Sequence, residues 1–317
     1  MVHREGKLKI LFVSSGRAGD VGYVVRNQGE SLVHLGLEVD YLIITPGLKG
    51  YIAAVGQIRR RVLNGKYDLV HAHYSLSAIS ASFAGRFPLV VSLMGSDAWQ
   101  GGIMTGIIRL FSFLRWHIVI VKTQEMKNRL RLKKAYVIPN GVDTDRFIPG
   151  DMLESRKRLG ISKDKKVILF IAGINRPEKN ISLARESVSL LNDDQVELIH
   201  VHDAENRIIP YYLNAADLLL LTSAREGGVN VIKEALACNC PIVSTDVGDV
   251  RLIAESVKGC YITDQNTTGI AEAISKALDF GARTSGRNRI FELGLDSVSV
   301  AGRITDLYNS YLKGGDR

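Results

Sequence analysis

Strand-like and helix-like segments alternate along this chain, stop once, and then start again, and no other feature limits its fold more. In the first half the apolar runs "KLKILFVSS", "EVDYLII", "DLVHAHY" and "PLVVSLMGSD" read as strands. Between them, "YVVRNQGESLVHLGL" places Val24, Val25, Leu32 and Leu35 at helical spacing, "AAVGQIRRRVLNGKYD" reads as a basic helix and "SLSAISASFAGR" as a small-residue helix; "GIIRLFSFLRWHIVIVKTQ", "EMKNRLRLKKA" and "YVIPNGVD" follow. Strands alternating with helices build a parallel sheet covered on both faces. "VIPNGVDTDRFIPG" then interrupts the pattern with prolines, glycines, an asparagine and aspartates, all turn formers. After a helical "MLESRKRLG" the alternation resumes: strand "KKVILFIAGI", helix "ISLARESVSLL", strand "VELIHV", helix "IPYYLNAA", strand "DLLLLTS", a helix over Val229–Ala237, strand "PIVSTD" and the helices "GIAEAISKALDF" and "VAGRITDLYNSYL". The expectation is an α/β chain of two doubly wound, Rossmann-like parallel-sheet domains, residues 1–150 and 151–317, with the last helix packing back on the first. A length of 317 residues suits two domains of roughly 150 each. A ligand is expected at the carboxyl ends of the strands, in a cleft between the sheets.

With 46% hydrophobic residues the chain can fill such cores, which excludes a disordered protein. The start, "MVHREGKLKILFVSSG", has no signal-peptide pattern, and no apolar run reaches the length of a membrane span. Cys238, Cys240 and Cys260 lack the further cysteines or histidines of a zinc site, so they read as buried thiols in a reducing cytoplasm. Charge is divided unequally. Residues 1–150 hold 20 Lys and Arg against 10 Asp and Glu; residues 151–317 hold 21 against 23. Either the first half meets an anionic partner or its charge serves solubility.

"EGGVNVIKEALACNCP" concentrates the chemistry. Gly227 and Gly228 fall at a strand-to-helix turn, where glycine permits close approach of a ligand. The helix start beyond them offers free N–H groups and a partial positive charge, which suit phosphate. Glu226 and Glu234 are separated by eight positions, about 12 Å along a helix, on the order of the span from a sugar across a diphosphate to a ribose. Carboxylates accept hydrogen bonds from hydroxyls. "GINRPEKN", just past the strand "VILFIA", carries Arg176 and Lys179, a fork and a point charge for diphosphate oxygens.

In their order and spacing, "VIPNGVDTDRF", "GINRPEKN" and "NAADLLLLTSAREGGVNVIKEALACNCPIVSTDVGD" resemble the family 4 (group 1) retaining glycosyltransferases of GT-B fold. "YDLVHAHYSLSA" and "VVSLMGSD" resemble the branch that builds bacterial surface polysaccharides, including teichuronic-acid-type enzymes. The resemblance covers nearly the whole chain. It implies transfer of a hexose from a nucleotide diphosphate sugar, UDP- ahead of GDP-, with retention at the anomeric carbon, without a metal or cofactor. The acceptor it implies is a saccharide or a lipid-linked one.

Carried over residue by residue, the resemblance assigns Glu226 to the donor sugar and Glu234 to the ribose. It gives Gly227, Gly228, Val229 and Asn230 backbone contacts to sugar and phosphate, and Arg176 and Lys179 the diphosphate. A glycine-rich loop near Gly16 to Gly22 faces the phosphates, with Gly19 the expected contact. Met94 stands where the family often has a histidine, while Asp97 remains, either orienting acceptor or sugar or capping a turn. The interval from Arg176 to Glu226 is shorter than the family's usual one, and "HVHDAENRIIPYY" replaces the "GDGP"-like turn. A second reading is therefore kept: a degenerate family member that binds nucleotide sugar and partners another transferase.

His71 and His73 alternate on a strand and point the same way, as ligand contacts near the cleft or as core residues; His200 and His202 repeat the pattern. "DTD" at Asp143–Asp145 matches the family's turn and is not taken as a metal site. "GIIRLFSFLRWH" mixes aliphatic and aromatic residues with Arg109 and Arg115, followed by "KNRLRLKK". It reads as an interfacial helix on anionic lipid, at the inner membrane face, or as a core helix with two surface arginines. No nucleic-acid partner is expected: the basic half lacks stacking platforms and recognised motifs. "GRAGDVG" is not the dinucleotide fingerprint of an oxidoreductase.

Overall fold

A computed structural model describes residues 7–17 and 20–314. The chain divides into two compact units. One holds the residues up to Gly141 together with those from Ser297 on, and the other is Val142–Asp296.

The first unit begins with β1 (Lys9–Arg17), β2 (Asp20–Val21), α1 (Tyr23–His34), β3 (Glu38–Ile44), α2 (Leu48–Gly65), β4 (Leu69–His73) and α3 (Ser75–Phe83). It continues with β5 (Leu89–Ser92), α4 (Gly102–Leu114), β6 (Ile118–Val121), α5 (Gln124–Leu130) and β7 (Tyr136–Val137). Among the described residues the parallel order is β3-β1-β4-β5-β6-β7, and β2 folds back antiparallel on the end of β1. The central strands are buried on both sides, as their unbroken apolar runs require. Within the stretch "EMKNRLRLKKA" the helix is short: Thr123 caps α5 by accepting from the Met126 N–H, and Arg131 turns left-handed at its end. Where a loop was expected, Gly16 of β1 pairs with Val21 of β2; a Cβ on Gly16 would fall 2.0 Å from the Asp20 carbonyl oxygen. Gly19 lies outside the described residues.

The second unit holds α6 (Met152–Leu159), β8 (Lys166–Ile171), α7 (Ile181–Ser189), β9 (Val196–Val201), α8 (Ile209–Ala215), β10 (Leu218–Leu221) and α9 (Asn230–Ala237). It ends with β11 (Ile242–Thr245), α10 (Val250–Ala254), β12 (Cys260–Thr263), α11 (Thr267–Phe280) and α12 (Gly286–Glu292). Its five described strands are parallel in the order β12-β11-β10-β8-β9. α10, β12 and α12 were not foreseen in the sequence: each is short, and β12 lacks the unbroken burial of the four-residue strands that were. The segment 142–150, grouped by sequence with the first domain, packs here instead. The Val142 N–H donates to the Leu295 carbonyl, Phe147 is fully buried, and the Arg287 guanidinium donates to the Thr144 and Phe147 carbonyls.

The chain then returns to the first unit as α13 (Ser297–Gly314). Val300, Ala301, Ile304 and Tyr308 pack with Val25 and Leu32 of α1 over the sheet, while α2–α5 cover the other face. Asn27 ties the junction by donating to the Gly141 carbonyl and Ser297 Oγ, both at 3.1 Å. With these boundaries the charge is more unequal than the sequence division suggests: 22 Lys and Arg against 10 Asp and Glu in the first unit, 19 against 23 in the second.

Candidate functional site

In the second unit the strand order reverses between β8 and β10. Ligands of open α/β sheets bind outside the carboxyl ends of strands at such a reversal. The loops that leave these two strands are tied together. Thr222 Oγ1 donates to the Lys179 and Asn180 carbonyls at 3.0 and 2.9 Å, and the Ala224 N–H donates to the Glu178 carbonyl at 2.8 Å. On this frame Lys179 Nζ meets Glu226 Oε1 at 2.5 Å, and Ser223 Oγ donates to the same oxygen at 2.7 Å. Both partners are mostly buried, so the pair is screened far less than a surface one. Glu226 Oε2 has no protein partner among the described residues. The Thr245 hydroxyl at the end of β11 donates to the Ser223 carbonyl at 2.8 Å, fixing the loop from its other side. Gly248, at φ 60°, passes against Glu226: a Cβ there would come 3.4 Å from the Glu226 Cβ.

Arg176 does not join this pair. It is exposed and bonded to its neighbour Glu178. The short 3₁₀ turn Pro177–Lys179 separates it from Lys179 and turns the two side chains to different partners.

The turn into α9 has two kinds of N–H. Val229 donates to Asp249 Oδ1 at 3.3 Å, and Asn230 to the Gly228 carbonyl at 3.2 Å. Gly227 and Gly228 have no acceptor for theirs among the described residues. The contacts expected of Val229 and Asn230 are thus partly engaged within the protein, and the glycines keep free donors. One turn into α9, burial pushes the Glu234 carboxyl up to about 7 against the pull of Lys233, Lys179 and Arg146. Near neutral pH this carboxyl is divided between its acceptor-only and its donating form.

The first unit reverses between β1 and β4. His73 ends β4, fully buried, stacked on His71 at 4.4 Å, with neither ring nitrogen bonded among the described residues. Burial, with Lys122 nearby, holds its pKa well below 6.5, so it is neutral. His71 is bonded on both sides, to the Tyr308 hydroxyl at 2.5 Å and Ser92 Oγ at 2.9 Å. Asp97 is spent on the backbone: its two oxygens accept the Ser75 N–H at 2.8 Å and the Met94 N–H at 2.6 Å. That is the turn-holding role, and the turn passes through Gly95 at φ 110°. Asp143 likewise accepts the Asp145 and Arg146 N–H groups. His200 bonds the Ala172 carbonyl at 2.8 Å. Cys238, Cys240 and Cys260 are buried and free, their thiols held up by burial.

Residues 15–146 match the model described as "Glycosyltransferase Family 4", and residues 156–279 the model "Glycosyl transferases group 1". The chain belongs to the family 4 (group 1) glycosyltransferases. Over 237 residues this glycosyltransferase is 28% identical to TuaC of Bacillus subtilis (strain 168), a protein assigned to teichuronic acid biosynthesis; the match covers 66% of this chain and 61% of TuaC. It is 28% identical over 212 residues to the D-inositol 3-phosphate glycosyltransferase of Geodermatophilus obscurus, covering 53% of this chain and 47% of that one. The chain thus spans about half to three fifths of these relatives' lengths. Among solved structures, the sucrose-phosphate synthase of Thermosynechococcus elongatus superposes with a TM-score of 0.82 at 18% identity, covering 97% of this chain and all of that one. Anabaena Alr3699/HepE in complex with UDP-glucose gives 0.73 at 18% identity, covering 96% of this chain and all of that one. The fold is GT-B.

Sequence reasoning missed the residues that hold this glycosyltransferase's ion pair. Ser223 stands three positions before Glu226, a spacing common to many turns. Thr222, Thr245, Gly248 and Asp249 are brought in only by strand register.

Proposed function

We propose that this glycosyltransferase moves a hexose from a nucleotide diphosphate sugar, UDP- ahead of GDP-, to a saccharide or lipid-linked acceptor of a bacterial surface polysaccharide or glycolipid, with retention and on the cytoplasmic side. The observation that carries the reading is the Lys179–Glu226 pair at the strand reversal. It sets an ammonium for a diphosphate beside a carboxylate whose second oxygen can take sugar hydroxyls. In the reaction the bond from anomeric carbon to phosphate oxygen breaks, and the acceptor oxygen bonds that carbon on the same face. The acceptor's proton passes to the departing phosphate oxygen. Lys179 and the N–H groups of Gly227 and Gly228 meet the charge that grows on the diphosphate, with Arg176 at its exposed edge, so the chemistry needs no metal. Glu234 holds the ribose hydroxyls.

A second reading is favoured by one observation: both oxygens of the Asp97 carboxylate accept backbone N–H groups, from Ser75 and Met94, which occupies the one carboxylate on that turn. It is a binding protein for nucleotide sugar that partners another transferase. A thermal-shift screen across nucleotide diphosphate sugars, followed by transfer assays with Glu226→Ala and Lys179→Ala, separates the two. A ligand at 100 times its Kd raises stability by about 2.7 kcal/mol. No shift with any donor overturns donor binding; a shift without hydrolysis or transfer selects the second reading.

A further inference from the structure

The outer face of α4 is built for something other than water. Ile103, Leu110, Phe113 and Leu114 are 86%, 55%, 87% and 62% exposed. At about 100° per residue they fall on one side of the helix, opposite the buried Ile108. Phe83, at the end of α3 and 66% exposed, packs edge-on against Phe111 and continues the same patch. Stripes of this kind on monomers mark contact surfaces.

Charge selects the partner. From Gly102 to Val137 the chain carries eight Lys and Arg and one acid, Glu125. Arg109 borders the stripe on α4 and is exposed, as are Arg86, Arg131, Lys133 and Lys134. Where the stripe ends, Leu114 also lines a cavity of about 370 Å³ with Arg86, Arg115, His117 and Tyr311. Arg115 is fixed there by donating to the Ser82 and Gly85 carbonyls at 2.5 and 2.6 Å. A second copy of this chain would bring these arginines against their own images and gain nothing from them. Nucleic acid would leave Phe113 and Ile103 in water. A surface that is anionic outside and apolar just beneath satisfies both parts at once.

We propose that α4 docks the first unit on an anionic phospholipid bilayer. Ile103, Leu110, Phe113 and Leu114 enter the boundary between headgroups and acyl chains, and the cavity edged by Arg86 and Arg115 takes a lipid phosphate. The surface is independent of the donor-site reading and can stand if that one falls.

Co-sedimentation with phosphatidylcholine vesicles, with and without phosphatidylglycerol, tests it. The protein should bind only the vesicles that contain phosphatidylglycerol, and less as salt rises. The combined variant Ile103→Ser, Leu110→Ser, Phe113→Ser should lose on the order of 100-fold in binding while its melting temperature stays within a few degrees. Arg86→Ala with Arg109→Ala should weaken binding and flatten its salt dependence. Equal binding to neutral vesicles, binding by the apolar variant at wild-type strength, or no binding to either vesicle overturns the proposal. A wild-type dimer in sedimentation velocity that the apolar variant dissolves also overturns it, assigning the face to self-association.

Discussion

Each unit reverses its strand order once, and each places charged or titratable side chains at the reversal, but the two treat those groups in opposite ways. In the first unit both oxygens of Asp97 are closed by backbone N–H groups, and His73 is neutral and sealed against His71. In the second, Lys179 and Ser223 crowd onto one oxygen of Glu226 and leave the other open, beside two glycines with unused N–H groups. The same architecture thus yields one reversal whose carboxylate is consumed by the fold, beside a buried neutral histidine, and one whose carboxylate is left half-satisfied. Polar groups left half-satisfied at a strand reversal are the ones a ligand can complete.

The contrast can be broken by mutation, most sharply at the open end. Glu226→Ala and Lys179→Ala should each lower transfer by about 100- to 1000-fold, as losses of preorganised charge do, with melting temperatures lowered by only a few degrees. If either variant keeps near-normal turnover, the second reversal is not the reacting one. Asp97→Ala should act the other way round. It strips two buried N–H groups of a charged acceptor and should cost about 3 kcal/mol in denaturant unfolding, while donor affinity per folded molecule stays unchanged. Loss of activity without loss of stability would return Asp97 to a catalytic role.

A smaller effect is expected from pH. The folded-state pKa of Glu234 is raised to about 7, so between the ordinary carboxylate range and pH 7 the native state binds the extra proton. Stability therefore falls as pH rises through that window. The fall should be on the order of 2 kcal/mol, after allowance for the site's partial exposure. Urea titrations from pH 5 to 8 should show the slope in wild type and a flatter one in Glu234→Gln; equal slopes would place the carboxyl in water. The least effect belongs to Arg176→Ala. An exposed pair contributes about 1 kcal/mol or less, so donor affinity should change less than about fivefold, and a loss as large as that of Lys179→Ala would show that ligand draws Arg176 inward.

Much of this was legible in the sequence, and the rest was not for physical reasons. Alternating apolar runs of strand and helix length gave both sheets, because a buried parallel strand writes its burial into consecutive residues such as "LVVS" and "LLLL". β12 escaped because its "CYIT" is partly exposed and only four residues long. Glu226 and Glu234 stood out because charge beside an apolar helix needs a partner, and Lys179 because its loop leaves a strand end; that Lys179 pairs with Glu226 is visible only in three dimensions. Ser223 and Asp249 are ordinary in sequence and meaningful through register. Arg176 and Lys179 looked equivalent from their spacing; a single 3₁₀ turn sent them apart. Asp97 could be read either way in sequence; that its two oxygens sit on the Ser75 and Met94 amides is a fact of the folded turn.

The return of α13 to the first unit bears on how the molecule is made. Tyr308 and Ile304 are part of that unit's core, so the domain begun first cannot be completed until residues more than a hundred and fifty positions past Gly141 have been synthesised. The unit from Val142 to Asp296 has no such debt to later chain. At roughly 5–20 residues per second, the earlier domain waits on the order of ten seconds or more with one face of its sheet covered by α1 alone, while the later one can already close. Folding order and synthesis order are inverted, and a chain truncated near residue 296 would carry a complete second unit attached to an unfinished first.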